Sequence, residues 1–312
     1  MISEPAQNSL KPAFEILNRG NLDAGYAEFE RILQHDLENE YVVYCLKATS
    51  FWKDKFAKAN NIANHFEAGE YLISQWKPFL VYLKKLGFVF NPVVDALKTA
   101  AFHKALNFYR QLYEDENGEK NAELYRKIGL CCKSLGDYET ALNFAKKAAG
   151  LSDDSAPILA ELADAYAFCG DIRFAKVYFR EAFFKDASKI QRYFLESEFI
   201  CRLIDVVEAE GYKDEELLEW VPVYGVLKNV FTVKRELKAL EIGQLKQRIF
   251  WLENEMRQKE YEKQRILKPK LINSYFWLID YYSGCSEEKM KIDEVLLKIK
   301  FLDKDVYDAY VG

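Results

Sequence analysis

Between residues 122 and 189 the apolar positions recur at helical spacing. Tyr125, Ile128, Gly129 and Cys132 stand at i, i+3, i+4 and i+7, and Leu159, Leu162, Ala163 and Tyr166 repeat that spacing 34 residues later. Such a stripe marks one face of an α-helix. Each stripe is followed by a Gly-Asp pair, Gly136-Asp137 and Gly170-Asp171, and then by a second stripe. That second stripe is Tyr138, Ala141, Ala145 and Ala148 in the first case, and Ile172, Ala175, Phe179 and Ala182 in the other. Aligning Gly136 with Gly170 defines two units of 34 residues, 122–155 and 156–189. Each predicts two helices joined by a tight turn, with glycine where the first helix must stop. Small residues at Gly129 and Ala163, and at Ala141 and Ala175, would let the paired helices approach closely.

The flanks carry weaker versions of the pattern. RGNLDAGYAEFERIL places Gly20, Leu22, Gly25, Phe29 and Ile32 at the same offsets and suggests a degenerate unit near 7–40. Residues 41–113 read as a divergent helix pair and then a helix over 93–113 that packs on the first good unit, ended by YEDENGEK. An amphipathic helix is expected over 192–210, and a short one over 214–220 stopped by Val221 before Pro222. From 226 to 267 no proline occurs, and Leu237, Leu240, Leu245, Ile249, Leu252 and Met256 trace one stripe. Glu253 with Arg257, and Glu255 with Lys259, are favourable i,i+4 pairs. Unbroken, that stretch of about 40 residues would make a helix about 60 Å long. It would either lie along its own chain or pair with a second copy through Leu245, Ile249, Leu252 and Met256. Pro269 then begins an aromatic-rich helix, Ser286 with Glu287 and Glu288 starts another over 287–302, and DKDVYDAYVG forms a short docked helix or a tail. The organisation read from the pattern is 1–121, 122–189 and 190–312.

Period, helix–turn–helix reading and residue order together resemble the tetratricopeptide (TPR) repeat family over 68 residues. The departures are Cys132 and Ala145 in place of aromatics, and Asp153 and Ala187 in place of the closing proline. The resemblance implies an all-α superhelix, a solenoid with divergent helical flanks and a long C-terminal helix. It also implies a groove lined by the first helix of each pair that binds a peptide or a partner protein. Groove candidates are Arg126, Leu130 and Lys133 in the first unit and Ala160, Asp164 and Phe168 in the second. The chaperone-tail clamp of some family members is not matched. Arg126 stands where a clamp lysine would, but Leu130 takes the asparagine position and Asp164 would repel a carboxylate.

Composition narrows the alternatives. Half of the 312 residues are apolar, 15% are aromatic, and Asp and Glu exceed Lys and Arg by 49 to 44. A sizeable core is affordable, and no basic field is present for a phosphate backbone, so no nucleic-acid partner is expected. No window reaches the roughly 18 apolar residues of a membrane span, and the N-terminus lacks the basic and apolar regions of a signal peptide. The expectation is a cytoplasmic protein with no membrane partner. Six scattered cysteines without CxxC spacing read as reduced, mostly buried side chains. No Gly-rich phosphate loop, GxSxG elbow, HExxH or spaced Cys/His pattern occurs. His35, His65 and His103 are scattered, and Asp153-Asp154 suits turn and capping chemistry. Asp115, Asn117 and Gly118 imitate part of a calcium loop whose first and twelfth positions, Tyr113 and Leu124, lack ligand oxygens. No metal, cofactor or catalysis is expected. The reading is a non-catalytic protein–protein interaction scaffold or adaptor. Its alternatives are a structural self-assembling protein working through the long helix, with homo-oligomer formation, and an enzyme whose site converges from distant positions.

Overall fold

The computed structural model describes residues 4–87, 90–115, 121–258, 260–284 and 289–312. Among them the regular elements are helices, without a strand. The chain forms two compact units, Met1–Leu151 and Ser152–Gly312. The first holds α1 (Glu4–Asn18), α2 (Leu22–Leu33), α3 (Glu40–Asn60), α4 (His65–Ser74), α5 (Trp76–Lys84), α6 (Asn91–Asp115), α7 (Ala122–Ser134) and α8 (Tyr138–Leu151). The second holds α9 (Ala156–Phe168), α10 (Ile172–Asp186), α11 (Glu198–Ala209), α12 (Asp214–Leu227), α13 (Ala239–Gln258), α14 (Tyr261–Ser283), α15 (Lys289–Leu302) and α16 (Lys304–Val311). Short 3-10 turns at Ala187–Lys189 and Arg192–Phe194 lead from α10 to α11. The division falls after Leu151, at the end of the second helix of the 122–155 unit, so that the 156–189 unit lies wholly in the second.

Three helix hairpins share one turn chemistry. Gly20, Gly136 and Gly170 adopt φ of 81°, 85° and 81°, the left-handed region that glycine enters without steric cost. The amide of Gly136 donates to the Lys133 carbonyl and that of Asp137 to the Cys132 carbonyl, at 3.0 and 2.9 Å. Gly170 and Asp171 repeat this with Ala167 and Tyr166, and Gly20 and Asn21 with Leu17 and Ile16. This is the paired 5→2 and 6→1 closure that satisfies the last carbonyls of a helix. The next residue caps the second helix: Asn21, Asp137 and Asp171 each accept from the backbone amide three positions on. Past the turn the small residues do what their spacing suggests. A Cβ at Gly129 would stand 3.2 Å from the Ala141 carbonyl oxygen of α8, and Ala141, Ala163 and Ala175 are buried.

The C-terminal third departs from the sequence pattern. The helix expected over 226–267 is not continuous. Instead α12 passes through the buried Pro222 and ends at Leu227. Asn229 then takes a left-handed φ of 54°, and the amides of Val230 and Phe231 both reach back to the Gly225 carbonyl at 2.8 Å. The Phe231 ring lies where a side chain at Gly225 would go, 2.3 Å from an ideal Cβ. That closure turns the chain, and residues 232–238 run without helix to α13. The following break leaves α13 with 20 residues, about 30 Å long. Pro269 lies inside α14 rather than at its start, buried like Pro222. Both prolines remove a helix bond, and tertiary burial of the surrounding face outweighs that loss.

The α13 stripe faces its own unit. Leu245, Ile249 and Leu252 are buried in the core of the second unit, and Met256 packs against it half-exposed. The seam offered by sequence to a second copy is therefore filled intramolecularly, chiefly by α14. Glu253 reaches Lys298 of α15 at 2.8 Å and the Tyr275 hydroxyl at 2.7 Å, not Arg257 as the i,i+4 spacing suggested. The last segment is the helix α16, capped by Asp303 and held by Tyr310 stacked on Phe276 at 4.8 Å. The calcium-like stretch 116–120, Lys259, Cys285 and the Ser286-Glu287-Glu288 start signal lie outside the described residues.

Candidate functional site

The groove candidates on α7 are interior. Arg126, Leu130 and Lys133 are all buried. Within the first unit α6 packs on α7 and α4 on α6. Glu70 of α4 accepts from the Tyr109 hydroxyl of α6 at 2.5 Å and from Lys127 of α7 at 2.7 Å. Arg126 makes two hydrogen bonds to Glu123, at 2.9 and 2.6 Å. Burial pushes the Glu123 carboxyl up, but the bonds and charge of Arg126, with Lys127, bring it below its ordinary value. Burial, with the Glu70 carboxylate beside it, raises the Tyr109 hydroxyl, so it stays protonated and donates.

On α9, Ala160 and Asp164 are buried and Phe168 is half-exposed. Asp164 has no exposed surface, and its two carboxylate oxygens accept the amides of Glu196 and Ser197, each at 3.0 Å. Ser197 precedes α11 and makes no side-chain cap bond of its own. The residue read as lining a groove is thus a cap supplied through space to another helix.

The second unit contains an ion-pair lattice that pins residues 233–238. Arg180 of α10 is buried and hydrogen-bonds Asp280 of α14; it also donates to the Val233 carbonyl at 3.1 Å and lies over the Trp277 ring at 4.7 Å. Lys234 reaches the other Asp280 oxygen at 2.7 Å. Arg235 bridges Glu181 of α10 and Glu241 of α13 at 2.9 and 2.8 Å. Deeper in the unit, burial raises the Glu219 carboxyl although Lys270 lies 3.1 Å away, and burial lowers the Arg248 guanidinium, which donates to the Phe184 carbonyl at 2.5 Å.

The lattice makes a pH prediction. The Arg235 hydrogen bond, with the Lys238 amide and nearby positive charge, lowers the Glu241 carboxyl to about 2 from an ordinary 4.5. A depressed folded value means the contribution is complete above pH 4.5 and is lost as pH falls through about 2. Protection factors at 233–238, which divide out the intrinsic pH dependence of amide exchange, are expected to fall selectively across that window. Glu241→Gln should show the low protection already at neutral pH, and wild-type protection unchanged between pH 4.5 and about 2 would refute the assignment.

The most exposed apolar surface of the second unit lies on α13 and α15. On α15, Met290, Leu297 and Phe301 are 79, 52 and 83% exposed and follow one another at i, i+7 and i+11. The opposite face of α15 buries Val295 and Ile299. On α13, Phe250 and Trp251 are exposed. The Glu253–Lys298 ion pair links the two helices, and Phe250 and Phe301 each stand one helical turn from it on their own helix. Sequence reading missed this surface because the helix over 287–302 was read from its start signal alone. The available signal was a second stripe, apolar residues on both sides of a 14-residue helix.

Among the described residues no group of three or more His, Cys, Asp or Glu side chains is arranged to hold a metal ion, and no helix is long and apolar enough to cross a membrane. No family model matches the chain, and none of the curated proteins compared with it is a match.

Proposed function

We propose that this chain is a non-catalytic protein–protein interaction scaffold or adaptor, built on tetratricopeptide-like helix hairpins. Its partner binds on the α13/α15 face of the second unit. The observation that carries the reading is the exposed stripe Met290, Leu297 and Phe301 of α15, with Phe250 and Trp251 exposed on α13, the helix that the Glu253–Lys298 ion pair joins to it. Large apolar side chains exposed along one stripe of a helix lower solubility unless something covers them. Spacing at i, i+7 and i+11 suits the apolar face of a partner helix, which inserts side chains at the same period. Lys289, Lys291, Lys298 and Lys300 outnumber Asp293 and Glu294 along α15, favouring a helix with acidic margins. The 34-residue hairpins support the reading by supplying the scaffold, and the groove candidates Arg126, Leu130 and Lys133 of α7, and Ala160 and Asp164 of α9, are buried.

The test compares wild type with Leu297→Glu/Phe301→Glu. Both positions are exposed, so the variant should melt like the wild type. Capture of a partner from native lysate should fall at least tenfold, the scale of losing one buried anchor. Equal capture by the two folded chains would sink the reading. A solution mass that halves on substitution would identify the occupant as a second copy and return self-assembly through a different helix from the one sequence suggested.

A further inference from the structure

Three aromatic rings converge at the surface of the first unit, where α6, α7 and α8 meet. Tyr113 ends the exposed side of α6, Tyr125 lies on α7 and Phe144 on α8. Their centroids are 5.9 Å apart for Tyr113–Tyr125, 5.5 Å for Tyr113–Phe144 and 6.1 Å for Tyr125–Phe144. The interplanar angles are 67°, 76° and 62°, so the rings form a triangle of mutually edge-to-face neighbours. Over that triangle stands the ammonium of Lys147, 4.9 Å from the Phe144 centroid, 5.7 Å from Tyr113 and 5.9 Å from Tyr125. Each distance is within the range at which a cation is attracted by a ring face.

We infer that this triad is a binding site for a methylated ammonium group, and that Lys147 occupies it in cis. The argument rests on what the site offers and what it lacks. A bare ammonium carries three N–H donors that need acceptors. Among the described residues the one hydrogen-bond partner of Lys147 is the Tyr113 hydroxyl, at a long 3.5 Å, and no carboxylate pairs with it. Elsewhere in the same unit Lys53 and Lys127 do meet carboxylates, Asp23 and Glu70, at 2.9 and 2.7 Å. A site of three ring surfaces whose described residues offer the cation a single long oxygen contact suits a cation without N–H bonds, whose charge is spread over methyl groups and whose hydration is weak. The occupant in place is displaceable: Lys147 is exposed and joined to α8 by a flexible stem, and Tyr113 is 39% exposed. Three-ring contact distinguishes this lysine from Lys104, which lies over two rings, and from Lys55, which lies over one.

The site predicts direct binding of tetramethylammonium. Saturation-transfer NMR on its methyl protons, with sodium chloride matching ionic strength, would be run on the full chain as wild type, Lys147→Ala and Lys147→Ala/Phe144→Leu. Removing the internal ammonium should tighten binding about fivefold over wild type, the factor matching a cation–ring attraction of ~1 kcal/mol. Deleting the nearest ring in that background should abolish saturation, and Tyr113→Leu serves as the ring deletion if Phe144→Leu lowers the melting temperature. Tighter binding of N-acetyl-trimethyllysine amide than of choline would support a reader of a modified side chain; the reverse would support a site for a free quaternary amine. No saturable binding by the folded Lys147→Ala chain, or binding unchanged when a ring is deleted, would overturn the site.

Discussion

Asp280→Ala is expected to cost ~3–5 kcal/mol of stability, the largest loss of any single substitution considered, because it strips a buried guanidinium of its counter-charge. Arg180 would keep the Val233 carbonyl and the Trp277 face, neither of which carries a full negative charge. Its Nε already has no hydrogen-bond partner among the described residues, so the group has no spare contact to recruit. Lys234 would lose its partner as well, loosening residues 233–238. Urea denaturation checks the magnitude, with Arg180→Leu/Asp280→Leu as the comparison. Removing both charges together should recover most of the loss, since paired replacement by apolar groups of similar volume avoids the stranded ion. A single substitution as mild as the double one would show that solvent reaches Arg180.

Asp164→Ala is the second. It removes a charged acceptor from the amides of Glu196 and Ser197 inside a site with no exposed surface, and hydrogen bonds to a charged group are worth ~1.5–3 kcal/mol each. A loss of ~2–4 kcal/mol is expected, since the two bonds share one carboxylate and are not additive. Asp164→Asn keeps an oxygen acceptor for one amide and should lose about half as much. Thermal melting gives the order of the two variants, and amide exchange at the start of α11 shows whether the loss is local to the cap. Equal melting of Asp164→Ala and wild type would mean water substitutes for the carboxylate. The same contact explains why charge reversal at Asp164 cannot serve as a probe of a binding groove: it would read out folding.

The hairpins were legible because every signal that makes them is local. Gly136 and Asp137 determine a helix stop and a helix start within two residues, and Gly129 faces Ala141 across a three-residue connection. The same logic exposed the copy at Gly20. The groove was not legible: the helix over 93–113 was expected to pack on the first unit, as α6 does on α7, but spacing along α7 alone did not say that Arg126, Leu130 and Lys133 would be covered. The supposed long helix failed for a related reason. Its break before α13 goes with Gly225 receiving Phe231 and with polar contacts to α10 and α14, partners 50 or more residues away in the case of the Arg180–Val233 hydrogen bond and the Arg235–Glu181 ion pair. Conversely, Pro222 and Pro269 looked like boundaries, and burial of their neighbours carried the helices through them. The α15 stripe was visible in the letters but needed the fold to say which of its two apolar sides was left over.

One consequence of the Asp164 cap concerns modularity. Helical repeats are attractive as interchangeable cassettes because each is expected to carry its own solution to its own loose ends. The 156–189 hairpin does not. It exports a carboxylate to the amides of 196 and 197, beyond its C-terminal border. Grafted elsewhere, it would bring a buried acid deprived of these two amides, and the segment left behind would start α11 without that carboxylate. The transplantable piece is longer than the period suggests and extends at least through α11.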